Sequence, residues 1–581
     1  MANSMGSLFI GVSGLQTSQN ALNTTANNLA NVDTKGYVRE RIYQADRNYY
    51  TFDTTAAVSR QQSGLGVTVG DVIHARNVFL DKTYRTQAGR SSFYSTTYEA
   101  VSEVETLFQE LEGTAFEDVL TGDSGLWVAF QEFAKKPTER EIQNLVIQKA
   151  SLFASRSQAV YDGLTRYQSN LNSQISEGID RVNEIADSIY KLNIDIMSIE
   201  SGGIETAMNL RDQRDLLLDE LAGYGDISFK EVAGGAVKVK FENVTIVDEM
   251  HAYEMGKQKD EVTGFITPYW PYLSDSNKDE HYQVFDITET ISTANKNDIG
   301  KLKALVYARG GKHANYLDMD GVTEKQYDDT LGNSVLMNTE AEFDTLVHKL
   351  VTAINDIFCP NVASTKAITG TDEQGNSVTY GVGTKILDAA NCCVGQDGEL
   401  PPQELFSRTG CERYTKVTGD DGNVYYVYNE EDPTDTALQY TTKSIHINPV
   451  LKESESKLPA YTQDGKPGEL PAAYSLGESI SKLWEEELLY LSPHDTTPCT
   501  FSEFYNKMTG SLATVGDVFK STADGLESTT LTTDNARQQT LGVSSDEELT
   551  NMIKYQNAYN AASRYINVVS EMIQTLITQM G

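Results

Sequence analysis

The two ends of this chain carry the same kind of helical pattern. Near the amino terminus, apolar residues recur every three or four positions with only Gln19 as an interruption, at Met5, Leu8, Val12, Leu15, Leu22, Ala26 and Leu29. Near the carboxyl terminus the same spacing runs without interruption through Met552, Tyr555, Tyr559, Ala562, Ile566, Val569, Ile573, Leu576 and Met580. Such spacing is typical of a coiled-coil seam. We therefore predict that the two ends pair as helices and that these residues form an assembly interface.

Both terminal helices are almost free of charge. No Asp, Glu, Lys or Arg precedes Asp33, and after Leu549 the charged residues are Lys554, Arg564 and Glu571. A helix without a charged face has no side that is well suited to water. We therefore expect the ends to pack against copies or relatives of this chain, and to stay disordered until that assembly takes place.

The composition is that of a folded, acidic protein. The chain has 581 residues, 39% of them hydrophobic, and a formal net charge of −36. This excess of acid argues against binding to nucleic acid or anionic membranes, because Lys and Arg neutralise phosphate groups. No apolar run reaches the roughly 18 to 20 residues that span a bilayer, and the amino terminus lacks the basic and apolar regions of a cleaved signal peptide. We predict no nucleic-acid partner, no membrane insertion and no cleaved signal.

Motifs that carry chemistry are missing from the sequence. There is no HExxH, GxSxG or GxxxxGK motif, and the seven histidines are widely scattered. The five cysteines form no CxxC pair, so we expect free thiols, with one or two disulfides as the alternative. We therefore predict that the chain is not an enzyme and holds neither a metal nor a cofactor.

The interior alternates between helical and β patterns. Tyr-, Val- and Thr-rich residues 38–80 predict a hairpin, and helix is expected from there to about residue 222. Within that helical part, Thr138 and Glu141 predict a capping box at the start of a very long helix. From Gly225 the period changes to two, and 299–309 and 339–358 return to helix.

A second β region is expected from about 360 to 450, with hairpin turns at Gly375 and at Asp421 and Gly422. Helix resumes near residue 475, and Ser545 with Glu548 is expected to cap the last helix.

These patterns predict an α+β multidomain fold in which β-rich domains are inserted into a long helical rod. The predicted parts are terminal helices at 1–33 and 546–581, a helical rod made of 34–225, 299–358 and 471–545, a first β-rich domain at 226–298, and a second at 359–470. We expect the second β region to face solvent as a decoration of the rod. Replacing residues 362–444 with a short linker is then expected to leave assembly intact.

Two long segments at opposite ends resemble family signatures. Residues 26–42, ANNLANVDTKGYVRERI, resemble the amino-terminal signature of the axial proteins of the bacterial flagellum, which are the rod, hook and hook-associated proteins. Residues 542–576 resemble their carboxyl-terminal signature. In the interior, NLRDQRDLLLDEL at 209–221, GKLKALVYAR at 300–309 and LVTAINDIF at 350–358 are similar to the hook-associated members that form the junction between hook and filament.

This resemblance implies a structural protein of the extracellular flagellum, exported by the flagellar type III apparatus without a cleaved signal. It further implies a ring of about eleven subunits. The implied partners are hook protein, a second junction protein (hook-associated protein 3), and an export chaperone on the carboxyl-terminal helix. Two alternatives remain open: a hook or distal-rod protein, or an axial scaffold that carries an adhesive or enzymatic β domain.

Overall fold

The computed structural model describes residues 2–47, 50–51, 62–109, 115–202, 206–275, 280–465 and 470–580. The order of elements is the predicted one, with helices at both ends and β-rich segments between helical parts. The α+β multidomain fold is thus confirmed. None of the described helices is long and apolar enough to cross a membrane.

Thirteen α-helices are defined in the described residues. They are α1 (Ala2–Ala30), α2 (Val78–Gln109), α3 (Phe116–Leu120), α4 (Leu126–Lys135), α5 (Arg140–Glu200), α6 (Met208–Tyr224), α7 (Lys301–Arg309), α8 (Glu324–Thr330), α9 (Val335–Phe358), α10 (Pro449–Glu453), α11 (Tyr474–Leu483), α12 (Phe501–Leu541) and α13 (Ser545–Met580). The terminal helices α1 and α13 pack against each other, and α2 packs along α12.

The strands form small antiparallel sheets. They are β1 (Glu40–Asp46), β2 (Tyr50–Thr51), β3 (Gln62–Ser63), β4 (Val67–His74), β5 (Ile227–Glu231), β6 (Val237–Phe241), β7 (Val244–Val247), β8 (Gly256–Lys259), β9 (Ile266–Tyr269), β10 (Asn361–Ala363), β11 (Ile368–Asp372), β12 (Ser377–Tyr380), β13 (Lys385–Leu387), β14 (Phe406–Ser407), β15 (Tyr414–Gly419), β16 (Val424–Tyr428) and β17 (His446–Ile447). The largest sheet has the order β10-β13-β16-β15-β11-β12. The predicted hairpins at 38–80, at Gly375 and at Gly422 are present as β1–β4, β11–β12 and β15–β16.

Two predicted helix caps are wrong. Helix α5 begins at Arg140, and no side chain caps it, so the predicted capping box of Thr138 and Glu141 is absent. Near this helix start, the Gln143 side-chain amide donates to the Pro137 carbonyl at 2.9 Å. At α13 the capping residue is Ser544 rather than Ser545, since the Ser544 Oγ accepts from the Glu547 backbone N–H at 3.4 Å.

Asparagines on α5 attach the first β-rich domain to the rod. Asn193 donates to the Val237 carbonyl and accepts from the Val237 N–H, at 2.9 and 3.0 Å, and Asn183 does the same to Met255. Asn172 bonds the strand that begins at Ile266. Their spacing of ten and eleven residues, about three turns, places the three amides on one side of the helix. Each amide therefore takes the hydrogen-bonding place of a neighbouring strand, and in this way it fixes the β domain to the rod.

The second β region is not a solvent-facing decoration, which corrects the prediction made from the sequence. Phe406 lies against Phe153 of α5 with ring centroids 6.0 Å apart, and Asn355 of α9 donates to the Phe406 carbonyl at 2.7 Å. Its buried apolar residues belong to the same core as α4, α5 and α9. Within this region, a small separate core lies around Ile368, Val417 and Val427. Most of this region is therefore part of the rod's interior.

Asn193→Ala is expected to lower the free energy of unfolding by about 2 to 4 kcal/mol. The substitution leaves the Val237 N–H and carbonyl, and a donor of buried Arg214, without their partner, and each unpaired buried group costs about 1 to 3 kcal/mol. Urea denaturation of the purified chain measures the change. Asn170→Ala is a suitable control, because Asn170 is exposed on the same helix. A loss equal to that of the control would contradict this role for the amide.

Candidate assembly surface

The two terminal helices form an antiparallel pair. Gly14 faces Ala562, Gly11 faces Ile566, and Asn28 bonds Glu548 at 3.2 Å. Helices α1 and α13 therefore run in opposite directions with a constant register. At Gly11 the approach is so close that an added Cβ would lie 2.7 Å from Ile566 Cγ1. The predicted pairing of the two ends is therefore present in one chain.

The buried side of α1 differs from the predicted stripe. Its buried residues are small or polar, namely Gly11, Ser13, Thr17, Ser18, Ala21, Thr25 and Asn28, and half-buried Gly14 lies against α13. The predicted residues Leu8, Val12, Leu15, Leu22 and Leu29 are half-buried, and Ala26 is exposed. The reason is steric, since α13 and the β1–β4 hairpin both approach α1 too closely for large side chains. At Gly66, beside β4, an added Cβ would collide with the Ser13 hydroxyl of α1. The apolar stripe of α1 is left partly uncovered.

On α13 the predicted stripe is the less exposed side. Met552, Tyr555, Tyr559, Ala562, Ile566 and Ile573 are half-buried and Val569 is buried, whereas Leu576 is exposed. The side chains of Met5 and Met580 lie outside the described part of the structure. An assembly role for these residues stays a prediction.

A second apolar row on α13 is only partly covered within the described chain. Its large side chains are 41 to 67% exposed and comprise Leu549, Ile553, Tyr565, Val568, Met572 and Ile577. Phe9 of α1 is also exposed, by 57%. Contiguous exposed apolar side chains of this kind mark interaction surfaces.

A clamp at the base of the helix pair joins the two signature segments. Arg39 bonds Glu547 and Glu548 at 2.6 Å, and buried Glu548 also accepts from Asn28. Asn28 in turn donates to and accepts from the backbone of Glu40 at 3.0 Å. Burial acts to lower the pKa of Arg39, but the two glutamates outweigh it and raise that pKa. The clamp thus joins two segments that lie about 500 positions apart in the sequence.

Helix α6 connects the clamp region to the rod through carboxylates. Asp219 accepts from Arg85 of α2 and from Arg537 of α12, both at 2.6 Å. Asp215, one turn earlier, pairs with Arg76 and lies 3.4 Å from Arg85. Both aspartates lie in the segment 209–221, which therefore forms an ionic joint between the long helices and the loop that joins β4 to α2.

A third aspartate of α6, Asp212, holds the segment after α1. It accepts from the Val38 N–H at 3.0 Å and lies 3.4 Å from His74 Nδ1. Burial raises the pKa of Asp212 to about 7 and lowers the pKa of His74 to about 4. The imidazole is therefore neutral at pH 7, and its contact with Asp212 is not an ion pair there.

Gly36 allows the same segment to lie on α6. Its φ is +83°, and an added Cβ would lie 2.4 Å from Leu216 Cδ1. A left-handed φ favours glycine. Gly36 belongs to the TKGY part of the amino-terminal signature at residues 26–42. The sequence shows the glycine, but only the structure shows its partner on α6.

The comparisons with known proteins agree with this geometry. Residues 101–370 match the family model "Flagellar hook-associated protein FlgK helical domain", 8–37 match "Flagella basal body rod protein", and 537–580 match "Flagellar basal body rod FlgEFG protein C-terminal". Flagellar hook-associated protein 1 of Bacillus subtilis (strain 168) is 25% identical over 99% of both chains. The chain is thus similar to flagellar hook-associated protein 1 along nearly its whole length.

Further relatives include hook-associated protein 1 of Escherichia coli (strain K12), 24% identical over 40% of this chain and 41% of its own, and that of Salmonella typhimurium, 26% identical over 40% of each. A solved structure, the flagellar hook junction protein FlgK from Burkholderia pseudomallei, is matched with a TM-score of 0.46 and 11% identity, covering 79% of this chain and 99% of that one. This chain is a structural component of the bacterial flagellum at the hook–filament junction, and it assembles with other axial proteins.

Proposed function

We propose that the chain is a mechanical adaptor that assembles with copies of itself through its terminal helices. The copies form a closed ring of about eleven subunits, with hook protein on one side and hook-associated protein 3 on the other. Before export, a chaperone covers the carboxyl-terminal helix, and the chain leaves the cell through the flagellar apparatus without cleavage of a signal.

The exposed apolar row on α13 is the observation that carries this proposal. The terminal pair is attached to the rod by the clamp and the ionic joint, yet α13 still presents Val568, Met572 and Ile577 to solvent. Burying such side chains contributes about 1.5 to 3 kcal/mol each. Contacts with neighbouring subunits would supply that burial.

Met572→Asp tests the proposal. Because Met572 is 63% exposed, we expect the midpoint of thermal unfolding of the monomer to change by less than about 2 °C. In the assembled ring the same carboxylate would be buried without a partner, at a cost of several kcal/mol. We expect cells carrying the variant to shed filament protein into the medium and to lose most of their swimming.

Met250→Asp provides the matched control, because Met250 is 70% exposed but lies in the first β-rich domain. Normal filaments on Met572→Asp cells would contradict the proposed role of the row. A matching loss in the control would mean that exposed methionines matter for a reason other than the terminal helices.

The terminal helices are expected to be mobile in the isolated monomer. Limited proteolysis of freshly purified chain should remove roughly residues 1–40 and 540–581 before it cuts the rod, because the ends lack the neighbouring subunits that would cover their exposed apolar side chains, and chain ends are cleaved before packed segments. Mass spectrometry of the fragments identifies the sites. Protection of both ends in a sample shown to be monomeric would overturn the prediction that assembly orders them.

A further inference from the structure

A cavity of about 320 Å³ lies where α2, α7, α9 and α12 meet. Its wall is mostly apolar and includes three aromatic rings, those of Tyr94, Tyr307 and Phe519. The wall also includes one carboxyl group, that of Glu342 on α9, and no Lys, Arg or His of the described chain lines it. An apolar cleft with a few convergent polar groups is the usual composition of a small-molecule site.

Glu342 is buried without a partner of opposite charge. Its side chain belongs to a residue that is only 6% exposed, and among the described residues only the Asn338 amide bonds it, donating to Oε1 at 2.9 Å. The Tyr327 hydroxyl donates to Asn338 Oδ1 at 2.8 Å, which turns the amide nitrogen towards Glu342. The second carboxyl oxygen, Oε2, is therefore available to a ligand in the cavity.

The electrostatic surroundings of Glu342 favour a cation. Burial raises the pKa of Glu342 to about 8, and the negative charge of Asp495, in the loop before α12, acts in the same direction. The other titratable groups at the site are the phenols of Tyr94, Tyr307 and Tyr327, whose pKa values are also raised by burial, so they are neutral at pH 7. A buried carboxylate without a positive partner is costly. A cation that enters the cavity would supply that partner.

The aromatic rings of the cavity are fixed by their own contacts. Tyr94 lies against Phe519 with ring centroids 6.0 Å apart, and its hydroxyl donates to Asp298 at 3.1 Å. The Tyr307 hydroxyl donates to the Asp286 carbonyl at 2.5 Å. Aromatic faces attract ammonium groups, and groups that are already fixed lose little freedom when a ligand binds. The rings and the carboxyl group together match an organic ammonium ion with an apolar body.

We propose that this cavity is a binding site for a small organic ammonium ion, with Glu342 as the anionic partner of the ammonium group and the aromatic rings against its apolar body. The site is independent of the proposed ring, because all its residues belong to one chain. Its occupant would contact α9 together with the α2–α12 pair, and binding would thereby stabilise the long helices that lead to both ends of the chain.

Isothermal titration calorimetry of the full chain with phenethylammonium tests the site. We expect saturable binding of one equivalent at millimolar or lower concentration. At pH 7 binding should also release close to one proton, because Glu342, which is neutral in the free protein with a pKa of about 8, must ionise to pair with the ammonium group. Titration in two buffers of different ionisation enthalpy measures that proton. For the same reason the affinity should rise as the pH increases towards about 8.

Three controls separate the charge of the site from its shape. Glu342→Gln keeps the size of the side chain but cannot ionise, so we expect at least about tenfold weaker binding and no proton release, with no decrease in the midpoint of thermal unfolding at pH 7. Glu220→Gln, which changes an exposed carboxylate of α6, should bind like the parent chain. Phenethyl alcohol, which has the same apolar body without the charge, should bind at least about tenfold more weakly.

Absence of saturable binding at millimolar phenethylammonium would overturn the site, and so would equal binding by Glu342→Gln or equal binding of phenethyl alcohol. Binding without proton release at pH 7 would place the ammonium group away from Glu342 and would overturn it as well. The proposed ring is tested separately, by the assembly of flagella in cells, so failure of either proposal leaves the other standing.

Discussion

Replacing residues 362–444 with a short Gly/Ser linker is expected to prevent the rod from folding. The deletion removes Phe406 and Tyr440 from the common core, and losses of this size cost about 3 to 5 kcal/mol each. It also removes the partners of Asn355 and Asp344 on α9, which bond Phe406 and Thr442. Each buried group left unpaired adds about 1 to 3 kcal/mol. These losses together match or exceed the 5 to 15 kcal/mol that stabilises a typical domain.

Circular dichroism of the purified variant measures this result as the loss of a cooperative thermal transition. Replacing only residues 370–379 is the matched control, because the β11–β12 hairpin packs mainly on the small separate core around Val417. We expect the control to unfold cooperatively, with its midpoint within about 8 °C of the parent, which corresponds to about 1 to 2 kcal/mol. A linker variant that unfolds like the parent would restore the view that the second β region is a decoration.

Asp219→Ala is expected to lower the free energy of unfolding by about 3 to 5 kcal/mol. The carboxylate joins Arg85 and Arg537, whose side chains are only 3% and 9% exposed. Without it, two buried guanidinium groups lose a charged partner, and such losses are among the largest that a single substitution produces. Because Arg85 lies on α2 and Arg537 on α12, the variant should also loosen the long helix pair that carries the terminal helices.

The neighbouring residue supplies the control. Glu220 pairs with Arg181 at 2.7 Å, but both side chains are about 40% exposed, and exposed ion pairs contribute about 0 to 1 kcal/mol. Urea denaturation of Asp219→Ala and Glu220→Gln should therefore differ by at least 2 kcal/mol. Similar losses in the two variants would show that the joint is no more than a surface ion pair. Native-state hydrogen exchange would then show no added opening of α12 near Arg537.

The sequence by itself determined the elements that depend on local patterns. The long helix α5, the period-two strands β6 and β7, and the turns at Gly375 and Gly422 follow from spacing and turn residues that act within a few positions. The end signatures also indicated the similarity to flagellar axial proteins, and the structure brings the two signatures together in the clamp formed by Asn28, Arg39 and Glu548.

Only the tertiary structure decided which faces are covered. The apolar stripe of α1 looked like the seam, but close approach of α13 selected the small residues Gly11, Gly14 and Ala21 for the buried side. The second β region looked independent, because the sequence pattern of Phe406 and Tyr440 does not reveal that α5 and α9 lie against them. Burial depends on what a side chain meets in space, and residues hundreds of positions apart supply those contacts. Periodicity therefore predicts that a face is apolar, while packing determines whether this chain or a neighbour covers it.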